Sequence, residues 1–151
     1  MGDFFKASIN TESDIQFRKS LSNYVCGIID GEFGKFADRN GLVCNYETFA
    51  FTAAENGKVV GIIRGHSYYE EVHIGDLIVL EKYRGKCIGT RLLKAAESFF
   101  ADKSFDIITL STYEFQAPEF YCKHGYEIEF VRENKKNPKL TKYFLIKHIG
   151  R

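Results

Sequence analysis

Apolar positions change their spacing several times along the chain, and each change marks an element. Phe4 to Ile9 reads as a short first strand. Thr11 or Ser13 stands where a helix cap is wanted, ahead of a helix that begins near Asp14. Ile15, Leu21, Tyr24, Val25 and Ile28 give that helix an apolar face. Gly27, Gly31 and Gly34 weaken it, which predicts a break near residue 30 before it resumes through Phe36. A period of two follows. Thr48 to Ala54 and Lys58 to Tyr68 read as strands joined by Asn56-Gly57, the strongest hairpin signal in the chain. Glu71 to Leu80 reads as a third strand, with Val72, Ile74 and Ile78 alternating against His73, Leu77 and Val79. The period then lengthens, and Ile88, Leu92, Leu93, Ala96, Phe99 and Phe100 share one helical face. Phe105 to Leu110 is a short apolar run that reads as a buried strand. Pro118 and Gly125 bracket a short helix, Ala117 to His124. Tyr126 to Arg132 and Lys142 to Ile149 close the chain as strands. Strands and helices mixed in this order predict an α/β or α+β sheet domain.

Composition narrows the function classes. A chain of 151 residues fits one domain, 1–151, with a core large enough to need no metal or disulfide staple. A net charge of +1 lacks the basic excess of a nucleic-acid-coating protein, so no nucleic-acid partner is expected. Lys135, Lys136, Lys139 and Lys142 read as a solvated loop. No apolar run reaches membrane-spanning length, and Met1 to Lys6 lacks the basic-then-apolar pattern of a signal peptide. Lys6 occupies the place where an N-myristoylation motif wants Ser or Thr. Cys26, Cys44, Cys87 and Cys122 have no C-x-x-C spacing and read as free thiols of a cytoplasmic protein. The four histidines lack ligand spacing, and no metal is expected.

The chemistry concentrates between Val79 and Leu93, where a strand runs through a basic, glycine-containing loop into an amphipathic helix. The first turn of a helix leaves backbone N–H groups unpaired, and the macrodipole adds positive charge there. Arg84, Lys86 and Arg91 add more, while Gly85 and Gly89 permit close approach. Such a loop is an anion site, and a pyrophosphate fits it. It is not a Walker loop, because Leu80 replaces the first glycine and Cys87 the Ser or Thr after Lys86. Nor does any stretch carry G-x-G-x-x-G.

This loop resembles the Q/R-x-x-G-x-G/A motif of the GNAT superfamily of N-acetyltransferases, with Arg84 first, Cys87 at the internal glycine and Gly89 last. A second stretch, Ala117 to Tyr126, resembles the later family motif A-x-x-x-Y-x-K-x-G-F/Y through Ala117, Tyr121, Lys123, Gly125 and Tyr126. Glu114 stands seven residues before Tyr121, where many members have Asn. The order of elements matches as well, so the resemblance covers nearly the whole chain. It implies a mixed, mostly antiparallel sheet flanked by helices, with acetyl-CoA as co-substrate. Direct transfer of acetyl to a primary amine, on a small molecule or a peptide, follows from it.

The resemblance assigns cofactor binding to Leu77, Ile78 and Val79, to Arg84, Gly85, Lys86, Cys87, Ile88, Gly89 and Thr90, and to Ala117. Backbone amides near Leu77 to Val79 would pair with the pantetheine arm, on a strand that in this family is bulged and parts from its neighbour. Tyr121 is the expected general acid for the leaving thiolate. His73, Asp76 and Glu114 are the candidate bases. Strict alternation sets His73 and Asp76 on opposite faces, so that one alone would look toward substrate. Cys87, at a helix start beside Arg84 and Lys86, has the surroundings of an oxidisable thiol. Tyr68-Tyr69-Glu70-Glu71 offers aromatic faces and carboxylates that suit a cationic amine. Loops at Gly31 to Glu47 and Tyr68 to Val72 are expected to contact the acceptor. The competing reading is a non-catalytic CoA-binding regulatory module. The exposed closing strands suit a homodimer.

Overall fold

The computed structural model describes residues 13–150, so the expected strand Phe4 to Ile9 and the cap Thr11 lie outside the described residues. Helix α1 is Asn23–Arg39, followed by strands β1 (Glu47–Glu55), β2 (Lys58–Tyr68) and β3 (Glu71–Val79). Helix α2 (Ile88–Asp102), strand β4 (Ile107–Tyr113), helix α3 (Pro118–Lys123) and strands β5 (Glu127–Arg132) and β6 (Lys142–His148) complete the order. The strands form one sheet, β1-β2-β3-β4-β6-β5, antiparallel throughout except for the parallel pair β3–β4.

Residues 13–22 are not helical, which corrects the expected start near Asp14. Ser22 is the cap: its backbone is extended and its hydroxyl accepts from the Val25 N–H. The helix then runs unbroken through Gly27, Gly31 and Gly34, each of which costs about 1 kcal/mol without stopping the ladder. Residues 31–39 are therefore helix and not an acceptor loop. At the β1–β2 turn both Asn56 and Gly57 take positive φ, 49° and 76°, as a two-residue hairpin requires. Phe105 falls outside β4. Its N–H returns to Phe100 O, and its ring packs edge-on against Phe100 to close the end of α2.

The core lies between α2 and one face of the sheet. Leu92, Leu93, Ala96 and Phe100 meet Val60, Ile63, Val72, Ile108 and Leu145. Each large aliphatic side chain so enclosed contributes about 1.5–3 kcal/mol. Phe49 stacks edge-on against Phe100 at 4.8 Å and Phe51 against Phe99 at 5.5 Å, seating α2 across β1.

Two irregularities position the site. The first is a bulge in β3. Arg64 pairs with Asp76 but Gly65 pairs with Ile74, so Gly75 is an inserted residue. Gly65 makes room for it: a Cβ there would lie 1.9 Å from His73 O. The insertion reverses the alternation. Val72 and Ile74 are buried before it, whereas Leu77 and Val79 pack on the core after it and Ile78 is half exposed. The second irregularity is the short β3–β4 pairing, which runs only from Glu71–Ile107 to Ile74–Leu110. Beyond Ile74 the two strands have no ladder, and the sheet is open between them.

Candidate active site

The opening between β3 and β4 widens into a cavity of about 1060 Å³. Val79, Arg84, Gly89, Phe120 and Tyr121 line it on the face that carries α2 and α3. Ile62, Arg64, Asp76, Ile78 and Ser111 line it from the opposite face. The cavity thus passes through the plane of the sheet.

After β3 the chain passes through a 3₁₀ turn, Glu81–Tyr83, and a short loop into α2. Arg91 is the first residue of α2 whose N–H reaches a carbonyl, Cys87 O at 3.0 Å. The amides of Ile88, Gly89 and Thr90 precede it at the helix start, where an anion is favoured. Gly85 has φ +77° and Cys87 φ +60°, a left-handed conformation that costs a cysteine about 1–2 kcal/mol. The Cys87 thiol is exposed. Arg84 donates from Nε to Val79 O at 2.9 Å, which fixes its guanidinium across the end of β3. Lys86 leans away, with Nζ 4.0 Å from Glu55 and over the Tyr83 ring. Ile88 turns its side chain into the core, leaving its backbone N–H for the loop.

Thr90 lines no part of the cavity, but it holds two elements together. Its hydroxyl is 3.0 Å from His124 Nε2, and His124 Nδ1 is 2.7 Å from Phe120 O. A carbonyl only accepts, so Nδ1 carries a proton, and in the neutral ring Nε2 accepts from Thr90. The ring of Phe120 lies over Gly89, where an added Cβ would sit 3.5 Å from it. α3 is thereby seated on the first turn of α2.

Tyr121 sits in the middle of α3, buried, and lines the cavity. Burial pushes its pKa up to about 12, so it stays protonated at neutral pH. The three candidate bases part company. Asp76 lines the cavity and is paired with Arg64, Nε to Oδ2 at 2.6 Å. His73 does not line it. Its Nδ1 is 3.0 Å from Thr109 Oγ1, which in turn donates to Glu71. Burial, with His66 beside it, holds the His73 imidazole below its ordinary pKa. Glu114 also lies off the cavity, its carboxylate taken by the Tyr143 hydroxyl. Because of the bulge, His73 and Asp76 share one face: their partners His66 and Arg64 are two residues apart on β2. This corrects the expectation of opposite faces, and position along the strand is what separates the two.

The turn Tyr68 to Glu71 lies off the cavity, its Tyr69 N–H and C=O taken by the Asn45 side chain. Ala117 lines it, as do residues the sequence did not single out for the site, among them Arg64, Phe115, Gln116 and Phe120. Gln116 accepts from Thr112 Oγ1 and Tyr113 N–H and so shapes the entry to α3. Arg64 carried a signal of its own, a lone charge inside the apolar run Val59 to Gly65. No helix among the described residues is long and apolar enough to cross a membrane.

Comparison with known proteins agrees with this geometry. The family model described as "Acetyltransferase (GNAT) family" matches residues 23–126. A blasticidin-S acetyltransferase of Streptomyces morookaense is 32% identical over 106 residues, 69% of this chain and 75% of that protein. An aminoalkylphosphonate N-acetyltransferase of Salmonella typhimurium is 30% identical over 127 residues, 77% of this chain and 82% of that protein. In three dimensions the chain is similar to an acetyltransferase from Bacillus cereus. That match has a TM-score of 0.70 and 25% identity, and covers 88% of this chain and 97% of the other.

Proposed function

Because this chain belongs to the acetyltransferase (GNAT) family and is an acetyl-CoA-dependent N-acetyltransferase, we propose that the cavity between β3 and β4 is where acetyl passes directly to the primary amine of a small molecule or peptide. The observation that carries this reading is the passage through the sheet at the point where β3 loses its partner. At its α2 mouth, the pyrophosphate of acetyl-CoA lies on the amides of Ile88, Gly89 and Thr90 at the helix start, with Arg84 beside it. The pantetheine arm runs along the unpaired edge of Leu77, Ile78 and Val79 as an added strand would. The thioester then lies in the opening, between the Tyr121 phenol on one side and Asp76 on the other.

The chemistry follows from that placement. The amine nitrogen attacks the thioester carbon, and the carbonyl oxygen gathers charge that backbone N–H groups of β3 stabilise. The C–S bond breaks as the tetrahedral centre collapses. The departing sulfur takes a hydrogen bond, and then the proton, from Tyr121. Asp76, directly or through a water, receives the proton that the amine gives up. Asp76 is preferred over His73 and Glu114 because it lines the cavity, whereas the other two lie off it, His73 with Nδ1 at Thr109 and Glu114 with Oε2 at Tyr143.

The first test is a thermal shift with acetyl-CoA, with ADP and free pantetheine as controls. At a ligand concentration of 100 Kd, binding stabilises by about 2.7 kcal/mol. For a chain of this size that raises Tm by roughly 5–10 °C. Thiol release on adding an amine then measures transfer. Absence of any shift with acetyl-CoA would sink the assignment of the loop.

A further inference from the structure

Three charged side chains line the cavity: Arg64, Asp76 and Arg84. Arg84 belongs to the α2 side, where its Nε is held by Val79 O. The opposite side, from which an acceptor must come if acetyl-CoA occupies the loop, therefore presents one cation and one anion. They are cross-strand partners, joined from Arg64 Nε to Asp76 Oδ2 at 2.6 Å. Both remain open to solvent, at 69% and 56% of their side-chain surface. Arg64 uses Nε in this pair, and its terminal nitrogens form a fork suited to a carboxylate or a phosphonate. Asp76 keeps Oδ1 for an ammonium. The bulge at Gly75 aims Asp76 to this face, and without it the alternation would turn the side chain toward α2. Around the pair are Ile62, Ile78, Ser111 and Phe115, which contribute no further charge.

We propose that the acceptor is a small primary amine carrying an acidic group a few bonds from its nitrogen, the acid read by Arg64 and the ammonium by Asp76. This rests on the acetyl-transfer reading above and deepens it. A polycation meets Arg64 and finds no second carboxylate in the cavity to offset it. A plain alkylamine leaves the guanidinium unanswered. A zwitterion whose charges are a few ångströms apart answers both side chains. The pair is too exposed to matter much to folding, so variants of Arg64 retain the fold.

The test compares kcat/KM for four amines: β-alanine, 2-aminoethylphosphonate, n-propylamine and spermidine. The two acid-bearing amines are expected to exceed the other two by tenfold or more. Arg64→Gln should collapse that ratio toward one, and Arg64→Lys, which keeps the charge but not the fork, should restore part of it. Equal or better turnover of n-propylamine or spermidine, or a ratio that Arg64→Gln leaves intact, would overturn the proposal while leaving acetyl transfer standing. No turnover of any of the four, with acetyl-CoA still raising Tm, would overturn this inference and leave acetyl transfer to a peptide amine standing.

Discussion

The hydroxyl of Thr90 lies 3.0 Å from His124 Nε2, and this contact ties the first turn of α2 to the end of α3. One helix start carries the loop proposed to take the pyrophosphate, and the other helix carries Tyr121. Thr90→Val removes the hydroxyl and leaves a half-buried ring nitrogen without its partner, at a cost of about 1 kcal/mol. A fall in Tm of roughly 2–4 °C is expected, together with a higher KM for acetyl-CoA. Thr90→Ser keeps the hydroxyl and should keep both values near those of the parent. A wild-type Tm in Thr90→Val would show that the contact does not hold the helices together.

Tyr121→Phe preserves the ring that α3 packs against the core and deletes the hydroxyl proposed above as the general acid. Turnover should drop by roughly 100-fold or more, while the thermal shift with acetyl-CoA persists. The pH dependence of stability gives a second handle. Burial raises the phenol from about 10 in the unfolded chain to about 12 in the folded one. Between these values the native state binds more protons, so its stability falls as pH rises. The contribution is complete below pH 10 and is lost from there upward by about 1.4 kcal/mol per pH unit. Urea midpoints measured from pH 8 to 11 should therefore decline above pH 10, and less steeply in Tyr121→Phe. Unchanged turnover in that variant would remove Tyr121 from the chemistry.

Cys87 holds φ +60° at the start of α2, where a glycine is free of the Cβ clash. Cys87→Gly should raise stability by up to about 1 kcal/mol, and Cys87→Val, branched at Cβ, should lower it by more than that. Because the thiol is exposed, iodoacetamide should label it in the free protein and more slowly with CoA bound. A Val variant as stable as the parent would contradict the left-handed backbone.

Gly65→Ala is the sharpest test of the bulge. The new Cβ would meet the backbone oxygen of His73 at 1.9 Å, and backbone cannot step aside as a side chain does. Destabilisation of roughly 3 kcal/mol or more is expected, with loss of activity in whatever still folds. A well-folded, active Gly65→Ala would mean that β2 and β3 pair without the inserted residue.

Much of this architecture was legible in the residues. The face of α2 from Ile88 to Phe100, the turn at Asn56-Gly57 and the bracket of Pro118 and Gly125 around α3 all have local physical causes, and they stand where the pattern set them. The bulge was not legible in the same way. Alternation assumes that no residue is inserted, so a reading at period two carried Ile78 onto the face of Val72 and parted Asp76 from His73. The signal was present as two glycines, Gly65 and Gly75, in neighbouring strands, which mark close backbone approach. Arg64 was overlooked for a related reason. Its meaning depends on Asp76, twelve residues away in sequence and directly opposite in the sheet. The start of α1 turned on which of several hydroxyl residues caps it, and only the extended backbone at Ser22 decides that.

A passage open on both faces of a sheet has two doors. On the proposed reading the cofactor would enter past α2 and the amine beside Arg64, so neither would stand in the other's way and both would be resident at once. Initial rates measured against each substrate should then give double-reciprocal lines that intersect, the mark of a ternary complex. Parallel lines would instead report an acetylated protein and a carrier residue within it.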